Sequence, residues 1–130
     1  MKKHVIPLRS RHLAGGIILS ALLLSAHPVI AATEATATCR QAMQRLRPAI
    51  SSLETEGHVR FTDAKIYVSE VLWRLMDAEQ KEGLTSNLVI YQECRKTPSR
   101  TTIIGTGAVY GKQSGVRLAR ITLFGGFKIG

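Results

Sequence analysis

What most narrows the possibilities for this chain is how it opens: Lys2, Lys3, Arg9 and Arg11 come before an uninterrupted apolar run from Leu13 to Ala26. That run, LAGGIILSALLLSA, is 14 residues long. It suits the core of a secretory signal and falls short of the roughly 20 apolar residues that span a bilayer. His27 and Pro28 break it, and Val29, Ile30, Ala31 and Ala32 supply small residues at the spacing a signal peptidase reads. Residues 1–32 are therefore read as a signal peptide, cleaved after Ala31 or Ala32, and residues 33–130 as a single small exported domain. The competing reading keeps Leu13 to Ala32 as an uncleaved anchor. Cys39 lies too far beyond the apolar run for a lipid-modified terminus, and Ser10 separates Arg9 from Arg11, so a twin-arginine route has no clear support.

The charge balance shifts with that division. The leader holds four basic and no acidic residues, so the formal charge of +9 falls to +5 on the remaining 98 residues. A moderately basic domain of this kind is attracted weakly to anionic surfaces without selecting among them. A chain of this length buries a modest share of its surface, and a covalent staple would help it. Cys39 and Cys94 are the two cysteines present, and an even number in an exported chain predicts one disulfide.

Local patterns predict the elements. Cys39, Met43, Leu46, Ile50 and Leu53 recur at helical spacing over 38–53, with a kink or restart expected near Arg47 because Pro48 lacks a backbone donor. The stretch from His58 to Val68 reads as a strand with Ala64, Ile66 and Val68 on one face, in preference to a long helix capped by Thr62. Ser69 then caps a short turn carrying Leu72 and Trp73, and Asp77 with Gln80 forms a second capping pair. From Ala78, the residues Leu84, Leu88, Tyr91 and Cys94 keep helical spacing until Pro98, although Gly83, Thr85, Ser86 and Asn87 leave a turn and a strand over 88–94 as the alternative. Thr101 to Tyr110 and Val116 to Phe124 are β-rich runs joined by the five-residue loop Gly111 to Gly115. The predicted class is α+β: an N-terminal helix, a strand, a helical pair and a C-terminal β-hairpin, forming a small antiparallel sheet with helices on one face.

Chemical motifs are sparse. His58 is the one histidine beyond the leader, with no nucleophile elbow beside it. One histidine and two distant cysteines give no clustered metal ligands, and neither cysteine sits in a CxxC pair. The nine carboxylates, from Glu34 to Glu93, read as a solvated face and helix caps. The GTGAVYG segment lacks the spacing and the following helix of a dinucleotide fingerprint, and reads as hairpin backbone. Arg95, Lys96, Arg100, Arg117, Arg120 and Lys128 would converge into a basic edge if the hairpin folds beside the end of the long helix, with Tyr110 or Phe124 nearby. Charges on a sheet edge also blunt aggregation and need no ligand.

These readings lead to a non-catalytic periplasmic or secreted protein, without a cofactor, that binds a protein or envelope component through its sheet or basic edge. Nucleic acid is not the expected partner, and membrane contact is expected only if the leader is retained. The alternatives are a membrane-tethered accessory subunit of an envelope complex and a small envelope hydrolase using carboxylates or His58.

Overall fold

The computed structural model describes residues 38–130. The segment read as a leader, its expected cleavage site and Glu34 lie outside the described residues.

Helix α1 spans Cys39–Thr55 and begins where Thr38 and Gln41 cap each other: the Gln41 amide donates to Thr38 Oγ1 at 3.3 Å, and the Thr38 amide donates to Gln41 Oε1 at 2.9 Å. Its buried stripe is Cys39, Ala42, Leu46, Ile50 and Leu53, so Ala42 takes the place expected of Met43, which is half-buried. The helix also runs through Pro48 without a restart. Gln44 and Pro48 are both exposed, so water can solvate the Gln44 carbonyl that the proline leaves without a helical donor. The helix ends in a Schellman turn: Gly57, at φ +82°, donates to the Glu54 carbonyl, and the His58 amide reaches back to Leu53.

The segment expected to be one strand from His58 to Val68 is instead a hairpin of β1 (Val59–Phe61) and β2 (Ile66–Val68). Thr62 makes the reversal: its Oγ1 accepts from the Lys65 amide at 3.0 Å, and its own amide donates to the Lys65 carbonyl. Ile66 and Val68 are buried as the alternation requires, whereas Ala64 falls in the turn and is exposed. Strands of three residues are too short to display a period of their own.

Helix α2 (Glu70–Leu75) starts at Ser69 and buries Leu72 and Trp73; helix α3 (Ala78–Lys96) starts at the Asp77–Gln80 box, where the Gln80 amide donates to Asp77 Oδ1 at 2.8 Å. The stretch 84–95 is thus helix. Its low-propensity residues are tolerated because α3 is the central element, packed against α1 on one side and the sheet on the other. Burial consequently runs round most of the helix, including Leu84, Thr85, Asn87, Leu88 and Ile90. The Thr85 hydroxyl donates to the Lys81 carbonyl at 2.7 Å, which keeps one buried polar group satisfied. Each fully buried leucine on α3 contributes about 1.5–3 kcal/mol relative to exposure.

The Cys39–Cys94 disulfide joins the first residue of α1 to the last turn of α3. It closes a loop for which chain entropy gives about 4 kcal/mol, and it indicates an oxidising compartment outside the cytoplasm. Among the described residues no helix is long and apolar enough to cross a membrane.

Beyond α3 the chain is pinned before it enters the sheet. The Glu93 carboxylate accepts the Ile104 and Gly105 amides at 2.8 Å each, which holds 101–106 out of the strand expected there. Strands β3 (Gly107–Gly111) and β4 (Arg117–Thr122) flank the expected loop, and a further strand, β5 (Gly126–Ile129), follows a turn that the sequence had not marked as a hairpin. The sheet order is β1-β2-β3-β4-β5. It is mixed, because the crossover through α2 and α3 makes the β2–β3 pairing parallel while the other three pairings are antiparallel.

Candidate binding face

Register decides which side chains the sheet offers to the helices and which it turns away from them. Val59, Ile66, Val68, Val109 and Ala119 are buried in the core with α1 and α3. The intervening positions form cross-strand rows on the opposite face. One row is Arg60, Tyr67, Tyr110 and Arg117; a second is Ala108, Arg120 and Lys128. None of these seven residues is buried.

Aromatic rings and cations alternate across this face. The Tyr67 and Tyr110 rings stand 6.3 Å apart at a tilt of 51°. The Arg60 guanidinium lies 4.5 Å from the Tyr67 centroid, and the Lys65 ammonium lies 4.6 Å from that of Tyr110. Such contacts hold long cationic side chains flat against the sheet and lower the entropy they lose on gripping a ligand. On β4, Arg117 Nε donates to the Gly130 main-chain oxygen at 3.0 Å and Arg120 Nη1 reaches the same atom at 3.4 Å. A bulge after Val109 sets Arg117 opposite Tyr110 and so keeps it in the aromatic row.

The charge is one-sided as well. From residue 97 to residue 130 the chain contains Arg100, Lys112, Arg117, Arg120 and Lys128 but no aspartate or glutamate. The acids that approach this ribbon come from the helices and are already engaged. Glu70 accepts the Gln113 amide at 2.7 Å and the Ser114 amide at 3.2 Å, while its own amide donates to Gln113 Oε1. Hydrogen bonding from the Ser114 side chain, helped by these amides, holds the Glu70 carboxyl below its ordinary value. A Cβ on Gly111 would collide with this carboxylate, so the clamp requires glycine there.

The six basic residues expected to form one edge divide into two groups. Arg117, Arg120 and Lys128 lie on the outward face of the sheet. Arg95 instead packs on Phe61 and Tyr91, with its guanidinium 5.1 and 5.9 Å from their centroids, and Arg100 Nε lies 3.5 Å from the Glu93 carboxylate. Lys96 borders a hollow with Gln92, Glu93, Thr106, Gly107 and Ala108. Three residues of the face, Arg60, Lys65 and Tyr67, were not singled out from the sequence. The available signal was the shared pattern of a tyrosine between two inward residues, Ile66-Tyr67-Val68 and Val109-Tyr110-Gly111, in two separate β segments.

The other candidate chemistries are placed as follows. His58 stands at the α1–β1 junction, with Nε2 3.6 Å from the exposed Glu56 carboxylate. An open groove of about 510 Å³ runs beside the disulfide, lined by Arg40, Met43, Gln44, Arg47, Pro48 and Pro98 among others, and it presents no carboxylate. The hollow near Lys96 has one acid, Glu93, which the loop amides occupy. Among the described residues no group of three His, Cys, Asp or Glu side chains could hold a metal ion. In comparisons with known proteins, the chain matches no protein family, no curated protein and no solved structure.

Proposed function

We propose that this chain is an exported, non-catalytic binding protein, periplasmic or secreted, whose helix-free sheet face grips an anionic component of the cell envelope. The observation that carries the reading is the outward face itself: two tyrosines spread under Arg60 and Lys65, continued by Arg117, Arg120 and Lys128 on β4 and β5, which have no aspartate or glutamate. Rigid aromatic rings and pre-positioned cations are the side chains that hot spots favour. The leader and the disulfide support a destination outside the cytoplasm.

The test is affinity recovery from native envelope extracts, comparing the wild-type bait with an Arg117→Ala/Arg120→Ala bait across a salt series. The reading predicts that recovery of the bound component falls with salt and falls further in the double variant. Recovery that is indifferent to both would overturn it.

A further inference from the structure

The β4–β5 hairpin ends in two apolar side chains that nothing covers: Leu123 is 70% exposed and Phe124 is 100% exposed. Single exposed hydrophobes are common on soluble proteins. An adjacent pair at the extremity of a built turn is a different case. Thr122 Oγ1 accepts from the Gly125 amide at 2.9 Å, and Gly126 adopts φ +67°. A Cβ on Gly125 would lie 2.6 Å from that hydroxyl, so the glycines allow a tight reversal that projects the tip outward.

Charge is arranged in depth behind the tip. Moving back along the paired strands, Thr122 faces Gly126, then Ile121 faces Phe127, then Arg120 faces Lys128. The cationic pair therefore stands two residues behind the turn, about 7 Å at the rise of a β-strand. Between tip and collar, Ile121 and Phe127 turn to the opposite face of the sheet, where Phe127 packs on the core, and no aspartate or glutamate occurs between residues 117 and 130. An apolar point with cations about 7 Å behind it fits a lipid surface, where interfacial segments bury their apolar face by about 5–10 Å and leave cations at the anionic headgroups.

We propose that the β4–β5 hairpin is a wedge that inserts Leu123 and Phe124 into an anionic lipid surface while Arg120 and Lys128 engage lipid phosphates. This rests on the reading of the sheet face above and names its anionic component. It requires no retained leader, since the contact is made wholly by residues 117–130.

Vesicle flotation tests it with the exported chain, residues 33–130, which contains the whole core and the disulfide. Vesicles of phosphatidylcholine with phosphatidylglycerol are compared with vesicles of phosphatidylcholine alone. The expected result is partition onto the anionic vesicles. A Leu123→Ser/Phe124→Ser variant should lose about tenfold or more of that partition, and an Arg120→Ala/Lys128→Ala variant should lose about tenfold of the preference for anionic lipid. Leu123, Phe124 and Lys128 are exposed and Arg120 is half-buried, and circular dichroism checks that the fold is kept. Undiminished partition in the tip variant overturns the wedge and leaves the cationic face standing. No partition of the wild type onto anionic vesicles overturns the lipid assignment, and salt-sensitive recovery of a protein or glycan from the envelope would then keep the sheet-face reading alone.

Discussion

Between α1 and α3 the chain buries Cys39, Leu46, Ile50, Leu84, Leu88 and Cys94, caps both helix starts and closes the layer with a covalent bond. From Arg117 to Gly130, by contrast, Ala119 is the one buried residue, and the rest of β4 and β5 is half-buried or exposed. Leu118 and Phe127 pack against the core, and main-chain ladder bonds hold the rest of the hairpin, which leaves its outward face available for another use. The difference separates two duties within one small domain. Helical side chains supply most of the core, whereas the outward row of the ribbon presents cations with no aspartate or glutamate beside them in the strand sequence.

The sharpest way to break this comparison is to open the staple. Replacing both Cys39 and Cys94 with alanine is expected to cost up to about 4 kcal/mol, read from denaturant unfolding of the two forms. A loss below about 1 kcal/mol would mean that the helical layer does not depend on its crosslink.

A smaller effect is expected where the two regions meet, at the Glu70 clamp on the β3–β4 loop. The folded-state pKa of Glu70 is lowered, so its stabilising contribution is complete above the ordinary carboxylate value and is lost as pH falls through the lowered one. The Gln113 and Ser114 amide resonances should titrate in that acid window, and Glu70→Gln should abolish the titration. An unchanged titration in the variant would assign the acid sensitivity to another group.

The smallest effect belongs to the face itself. Arg117→Ala/Arg120→Ala should lower folding stability by no more than about 1.5 kcal/mol, through loss of the hydrogen bonds to the exposed Gly130 oxygen, even though binding is weakened. A destabilisation of several kcal/mol would assign these arginines to the fold instead.

Legibility in the sequence follows the range of the interaction that forms each element. The Ser69 and Asp77 caps, the stripe of α1 apart from Ala42, and the Gly111–Gly115 loop depend on residues within a few positions of one another, and these were readable. The β1–β2 reversal was not, because Thr62 builds its turn around Asp63 and Ala64 with no glycine or asparagine to announce it. β5 was hidden in a similar way: Gly125 and Gly126 read as a bend, yet the turn they make also permits four more paired residues. The binding face was the least legible feature. It depends on the parallel β2–β3 register, which sets Tyr67 beside Tyr110, 43 positions further along the chain, and is fixed only by packing.

Photo-crosslinking in native envelopes tests the division between the two regions most directly, with p-benzoylphenylalanine placed in turn at Ala108, beside Arg120 in the outward row, and at Arg47 on the exposed side of α1. A discrete adduct from position 108 with none from position 47 is the predicted result. An adduct from position 47 alone would put the partner on the helices and contradict the account.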